Sequence, residues 1–481
     1  MKTLFGGYDD EAFAAILRAA VHSFGKGQPP DGYEALKMSE LGIGQSGTTF
    51  TSPNGRGKAI VLEQDDQLIV AFRGTDSRSD FKDYDNISFT RNYYKQFDKL
   101  LSAVADHVKG TDIEVTFTGA SLGGAVTNIV SEKSAHRWGG VFADSAYLGF
   151  SSPYVARAGK TDLFNFGFSN DLVYHIVPGT FTPARRQTAT THLFLYENSR
   201  FWGDSHLSDR VSVHHLSNYV EAVDAISSVS LEDGTALSEI VRAKDYVLID
   251  SASQKLKAGV IDHPNGTPLY IIGENRADKI YGATDNQKGG HSEWIFGRGG
   301  NDEINGRGGS DMLDGGAGRD TLIGGAGRDT LLGGAGADRL YLEDHQDRGV
   351  GGVGADRFII RNVLPHTEKG KEIAHGNLAA RLFIDDFEPG RDRLDLRGLD
   401  GDLTRKGEQS LTLAGFFLEG VDDTGDLGEG LLDEAIQGTV TLYADEDGTT
   451  HVLINLDGDR RAEIEIVLSG NPGDISADIL L

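Results

Sequence analysis

From Gly297 to Ile359 the chain repeats itself every nine residues. GRGGNDEIN, GRGGSDMLD, GGAGRDTLI, GGAGRDTLL and GGAGADRLY run back to back, a degenerate LEDHQDRGV follows, and GGVGADRFI closes the series; a weaker beginning lies near Gly273. The pattern is GGxGxDxUx, the period of a parallel β-roll. Glycine serves the tight turn, Asp at position six offers an oxygen ligand, and position eight points an apolar side chain inward. Two repeats complete one coil. Turns two repeats apart therefore stack, with Asp302, Asp320, Asp338 and Asp356 on one edge and Asp311, Asp329 and Asp347 on the other. Asp278 and Glu293 mark damaged outer repeats, the latter after a short insertion. Asp carboxylates and backbone carbonyls between stacked turns make a hard, all-oxygen shell suited to several calcium ions. The expected ligands are Asp278, Asp302, Asp311, Asp320, Asp329, Asp338, Asp347 and Asp356. Ile304, Leu313, Leu322, Leu331, Leu340 and Phe358 form the narrow core, and their fixed phase argues against a flexible Gly/Asp-rich linker. Without calcium, clustered acids and few apolar residues cannot offset chain entropy, so the array is expected to unfold.

The composition agrees with that reading. A formal charge of −27 argues against nucleic acid as a partner, because binding there needs positive charge. There are no cysteines, so disulfides are excluded and stability outside a cell must come from another source, such as metal. No run of about 18 apolar residues is present to span a membrane. The N-terminus does not read as a secretory signal: the short Thr3-Leu4-Phe5 run meets Gly6, Gly7, Asp9, Asp10 and Glu11. Export by a route that reads the C-terminus explains both a calcium array and that start. A secreted, extracellular monomer is expected.

Four regions are expected along the 481 residues. Residues 1–240 are read as a mixed α/β domain, 241–272 as a bridge, 273–359 as the calcium-binding roll, and 360–481 as a β-rich cap ending in a secretion signal. In the first region Asp10–Phe24 reads as an amphipathic helix, and Ala59–Glu63 and Gln67–Arg73 as strands around Gln64-Asp65-Asp66. Phe97, Leu100, Leu101, Val104 and Val108 recur at helical spacing; Ile113–Thr118 is β-rich and Leu122–Ala135 helical. Strands are expected near 163–168, 172–177 and 192–196. Alternating strands and helices predict a largely parallel sheet covered by helices. In the cap, 382–396, 439–443 and 450–456 read as strands with acidic turns.

Gly119-Ala120-Ser121-Leu122-Gly123 is a G-x-S-x-G motif, weak alone but set between a β-rich run and a helix. That is the strand–turn–helix elbow that exposes a serine oxygen above a sheet edge. The bland alternative is a plain β-turn-α connection with a capping serine. A serine nucleophile needs a base, and the base an orienting acid, in the order Ser, acid, His. Asp171, between two apolar β-like runs, is a candidate acid, with a turn-forming Asn-Asp as its alternative. Downstream histidines before the repeats are His175, His192, His206, His214, His215 and His263; local pattern does not choose between His214 and His215. Ile69–Arg73 enters a turn at Gly74-Thr75, so the N–H groups of Thr75 and Leu122 are oxyanion candidates. Arg73 reads better as a supporting ion pair than as a catalytic group.

FRGTDSRSD at 72–80 and TGASLGG at 118–124 resemble the signatures of the fungal-type class 3 lipases. With the nonapeptides and the unprocessed start, the whole chain resembles the RTX lipases and phospholipases that Gram-negative bacteria export by type I secretion. DSAYLGFSSP at 144–153, FNFGFSNDLVY at 164–174 and the His-Leu step at 215–216 match as well. The resemblance implies an α/β-hydrolase domain followed by an all-β parallel β-roll. It implies Ser121 as nucleophile, Asp171 as acid, His215 rather than His214 as base, and Thr75 and Leu122 at the oxyanion. The C-terminal segment would then be read by the type I secretion machinery. The substrate would be a lipid ester at an oil or membrane interface, either a triacylglycerol or a phospholipid. Two departures stand out: Ala120 replaces the usual His before the nucleophile, and the N-terminal region is shorter. Ser77–Tyr94 is a candidate lid or an ordinary surface loop. A rival reading is a non-catalytic RTX surface or adhesion protein; a protease on the same triad has only the serine in its favour.

Overall fold

The structure, a computed structural model, describes residues 5, 7–25, 27–74, 92–152, 163–167, 192–196, 216–231, 233–241, 245–250, 255–257, 268–282, 292–361, 380–399, 410–417, 437–445, 448–456, 462–470 and 472–481. They form two compact units, Met1–Ser251 and Ala252–Leu481.

The first unit is built on a seven-stranded sheet. Its strands are β1 (Glu34–Ala35), β2 (Thr49–Thr51), β3 (Lys58–Gln64), β4 (Gln67–Phe72), β5 (Glu114–Ala120), β6 (Ala146–Phe150) and β7 (Leu163–Phe166). β3 and β4 make an antiparallel hairpin whose two-residue turn places Asp65 at φ 49°, a left-handed conformation that Asp tolerates. From β4 through β5 and β6 to β7 every pairing is parallel. Parallel neighbours need crossovers, and helices supply them. α2 (Asp98–Val108) joins β4 to β5 and α3 (Leu122–Lys133) joins β5 to β6, while α1 (Asp10–His22) precedes the sheet. The two-residue alternation of strands divides the core between the faces of the sheet. Phe117 and Tyr147 stack at 5.2 Å in one cluster with Leu100, Leu101 and Val104 of α2 and Val126 and Ile129 of α3. Phe150, Phe164 and Phe166 instead meet Phe13 of α1. α1 starts cleanly because the Asp9 carboxylate accepts the Ala12 N–H at 2.8 Å. The unit also holds a parallel pair, β8 (His192–Tyr196) with β9 (Tyr246–Asp250), and the helices α4 (Leu216–Ser227) and α5 (Leu237–Ile240). The expected 172–177 strand and most of the candidate lid lie outside the described residues; Tyr93–Phe97 is a short 3₁₀ helix.

The second unit consists of stacked parallel rungs. One row runs 255–257, 279–281, 303–308, 321–326, 339–342, 357–361, 393–398 and 479–480. The other runs 269–272, 293–296, 312–314, 330–332, 348–350, 380–384 and 464–468. The pairings therefore continue on both sides of the near-perfect repeats. Beyond 464–468 the sheet continues with antiparallel pairings to 450–455 and then 439–444. Ile304, Leu313, Leu322, Leu331, Leu340 and Phe358 are all fully buried, as the phase of position eight requires. In the degenerate repeat position eight is Gly349, where an added Cβ would lie 3.2 Å from the Phe358 ring. The larger ring fills the space that the missing side chain leaves, so packing density is kept.

Candidate functional site

In the first unit, β5 ends in the motif Gly119–Gly123 and α3 begins at Leu122, so Ser121 occupies the turn between them. Its backbone sits at φ 54° and ψ −121°, a region that non-glycine residues avoid at a cost on the order of 1–3 kcal/mol. Close packing imposes it. Gly119 pairs with Phe72 on one side and Gly149 on the other. A Cβ on Gly123 would stand 2.1 Å from the Phe72 carbonyl oxygen, and one on Gly119 would stand 2.7 Å from the same atom. A Cβ on Gly74 would stand 2.4 Å from the Ala120 carbonyl oxygen. Only glycine lets the start of α3 lie directly over the ends of β4 and β5. The Ser121 N–H donates to the Phe150 carbonyl at 2.9 Å, and the Ser121 carbonyl accepts the first helical bond from Ala125 at 3.1 Å. Leu122 is the first helical residue, so the helix itself offers its N–H no partner. The positive end of the helix dipole lies there too, where a developing oxyanion is stabilised. Ser121 is 5% exposed.

Thr75, Asp171, His214 and His215 lie outside the described residues; α4 begins at Leu216, one residue beyond His215. A pair that sequence reasoning missed lies in the same unit. Asn128 of α3 and Asn165 of β7 exchange side-chain amide bonds at 3.1 and 3.0 Å, both fully or nearly fully buried. This ties the helix after the serine to the strand that leads towards Asp171. No local pattern announces such a pair, because its members are far apart in sequence.

In the second unit the position-six acids form two ladders. On one edge the backbone N–H groups of Asp278, Asp302, Asp320 and Asp338 each donate to Oδ1 of the next Asp, ending on Asp356. The Asp356 N–H continues the ladder to Asp392 at 2.9 Å. On the other edge Glu293 donates to Asp311, Asp311 to Asp329 and Asp329 to Asp347. Asp392 was overlooked in the sequence, yet FEPGRDRLD at 387–395 places it at position six of a ninefold register.

These bonds use one carboxylate oxygen only. Oδ2 of Asp302, Asp311, Asp320, Asp329, Asp338 and Asp356 is buried with no hydrogen-bond partner. Burial pushes Asp329 up to about 8, Asp302 and Asp311 up to about 7, and Asp320 and Asp338 up to about 6. A buried carboxylate without a partner is costly unless it is neutralised. The space for a cation is visible at position one of the repeat. The absent Cβ of Gly297 would lie 2.5 Å from Asp302 Oδ2 and 2.7 Å from the Gly315 carbonyl oxygen. Gly306, Gly315 and Gly333 stand in the same relation to Asp311, Asp320 and Asp338 and to the carbonyls of Gly324, Gly333 and Gly351. Among the described residues no three His, Asp or Glu side chains converge on a point, so backbone carbonyls must complete the shell. Carboxylate plus carbonyl oxygen is the donor set of calcium.

The RTX calcium-binding nonapeptide family matches residues 289–322 and 323–358, and the Tle-like phospholipase domain family matches residues 13–138, including the elbow. The chain is similar over its whole length to the extracellular lipase LipA of Serratia marcescens, with a TM-score of 0.56 at 16% identity, covering 100% of this chain and 99% of that one. Its architecture is that of the RTX lipases. The front is an α/β-hydrolase fold and the back an RTX β-roll whose repeats belong to a calcium-binding family. Two lipases of Pseudomonas fluorescens are 30% identical over 154 residues and 33% identical over 91 residues. These stretches cover 31% and 18% of this RTX chain but only 29% and 19% of those relatives.

Proposed function

We propose that this chain is a secreted serine carboxylester hydrolase acting on lipids through an acyl-enzyme. Ser121 Oγ attacks the ester carbonyl carbon while His215 takes its proton. Asp171 orients the imidazole, and the N–H groups of Thr75 and Leu122 hold the oxyanion. The tetrahedral intermediate expels the alcohol, which leaves with the proton from His215. Water activated by the same base then releases the fatty acid. The observation that carries this reading is the strained backbone of Ser121 at the head of α3. A capping serine needs no such strain, because capping residues have ordinary extended angles. The likeness to lipases and to a phospholipase domain family supports a lipid ester as substrate.

In the same proposal, residues 1–240 carry the chemistry, 241–272 bridge, 273–359 fold around several calcium ions, and 360–481 cap the roll and carry the type I secretion signal. The protein acts as an extracellular monomer at an oil or membrane interface. Hydrolysis of tributyrin, a long-chain triglyceride and phosphatidylcholine, each with calcium and with chelator, tests the reading. Release of fatty acid from at least one lipid, lost in Ser121→Ala, is the expected result. An intact calcium-loaded chain inert towards all of them would favour a non-catalytic RTX surface protein.

A further inference from the structure

The nine turns of the roll whose position two lies among the described residues fall into two classes according to that residue. In six of them that residue is Arg298, Arg307, Gly316, Gly325, Gly334 or Gly352, and every one has a positive φ, between 73° and 102°. These are the turns of Asp302, Asp311, Asp320, Asp329, Asp338 and Asp356, whose Oδ2 atoms are buried without a partner. In three others position two is glutamate: Glu274 before Asp278, Glu343 before Asp347, and Glu388 before Asp392. None of the three has a positive φ. In each, the glutamate's own N–H turns inward and donates to Oδ2 of the Asp four residues on, at 2.8 Å in all three cases. Asp347 Oδ2 takes a second N–H from Asp344 at 2.8 Å. The glutamate side chains bring no unpaired charge, because Glu274 pairs with Arg276, Glu343 with Arg361 and Glu388 with Arg391.

We propose that the glutamate-headed turns close without metal, so that calcium is confined to the six turns between them. The carboxylate oxygen that faces a cation in a glycine- or arginine-headed turn is already occupied by a backbone N–H in a glutamate-headed one. Arginine reinforces the difference at the first turn: Arg276 Nε lies 3.7 Å from Asp278 Oδ1, and Arg298 Nη1 donates to the Gly273 carbonyl at 3.3 Å. The positions are those of end pieces. Asp278 begins one ladder and Asp392 ends it, while Asp347 ends the other. A stack of calcium sites has to stop somewhere, and an end turn that needed its own ion would have only one neighbour to share it with. Of the eight acids expected from the sequence to bind metal, Asp278 and Asp347 are thereby reassigned to closure. Asp392, which lies beyond the near-perfect repeats, joins them.

This inference rests on calcium as the ion of the array, and the test separates the two. Full-length protein is refolded with calcium, its bound ions are counted by atomic absorption after desalting, and calcium-grown crystals are examined for anomalous peaks. Peaks are expected beside Asp302, Asp311, Asp320, Asp329, Asp338 and Asp356, and none at bonding distance, about 2.3–2.6 Å, from Asp278, Asp347 or Asp392. Asp329→Asn should lose at least one ion and raise the calcium needed for half-folding about tenfold. Asp347→Asn and Asp392→Asn should keep the wild-type count. Glu343→Gly combined with Leu342→Gly, which restores glycine at positions one and two, should gain one ion. A peak at Asp347 or Asp392, an ion lost in Asp347→Asn, or an unchanged count in the Leu342→Gly/Glu343→Gly double variant would overturn the inference while leaving the array a calcium binder. No calcium anywhere would overturn both.

Discussion

The front unit sets strained backbone at its candidate nucleophile, a single residue, whereas the back unit distributes its unfavourable feature over six. Ser121 pays in backbone strain, and the surrounding packing enforces it through three glycines that approach carbonyl oxygens too closely for any Cβ. The roll has strained positions too, but most are glycine; its liability is electrostatic, a row of buried carboxylate oxygens without partners. The first kind of cost is met by the protein itself and is present in every folded molecule. The second can be met by a solute such as a bound cation, which under the proposed function would tie the fold of the roll to what the surroundings supply.

The comparison breaks most readily at the serine. Ser121→Ala should reduce lipid ester hydrolysis about 10⁵-fold or more while leaving the calcium dependence of the circular dichroism unchanged. Equal activity in the variant would remove the chemical half of the contrast. Chelation should act in the opposite way. Removing calcium from the full chain should abolish the β-signal of the roll and lower the melting temperature, because saturating calcium at about 1,000 times its Kd contributes about 4 kcal/mol per site. A melting curve untouched by chelator would show that the roll does not depend on the ion.

Gly123→Ala sharpens the idea that close packing forces the strain. Its new methyl would sit 2.1 Å from the Phe72 carbonyl oxygen, so backbone must move. A loss of about 3 kcal/mol in urea unfolding of the front unit, together with lost activity, is expected. The smallest effect concerns protons. Burial raises Asp302, Asp311, Asp320, Asp329 and Asp338 to between about 6 and 8, above the ordinary value near 3.8. A raised native pKa stabilises the metal-free roll at low pH and withdraws that contribution as pH climbs through 6 to 8. Calcium must displace those same protons. Calcium titrations followed by circular dichroism should therefore show a midpoint that falls as pH rises from 5 to 8 and levels off above; a flat midpoint would contradict the burial of these acids.

Much of this was legible in the residues. The spacing of Gly, Asp and an apolar residue announced the rungs, the two edges and the inward column from Ile304 to Phe358, because each depends on backbone geometry within a few residues. The G-x-S-x-G motif between a β-rich run and a helix announced the elbow for the same reason. Strand ends were less exact: β5 runs on to Ala120, past the Thr118 expected, since its last pairings are with Gly149 and Phe150 on a distant segment.

What the residues determined by themselves was thus the periodic and the local: a calcium-type array and a serine on a tight turn. Tertiary structure alone decided which oxygen of each carboxylate is already bonded, that Asp392 extends a ladder across 36 residues, and that Phe358 fills the space beside Gly349. Such features are set by contacts between segments far apart along the chain. A hydrogen bond or a van der Waals gap is decided within a few tenths of an ångström, and only the folded packing fixes positions that finely.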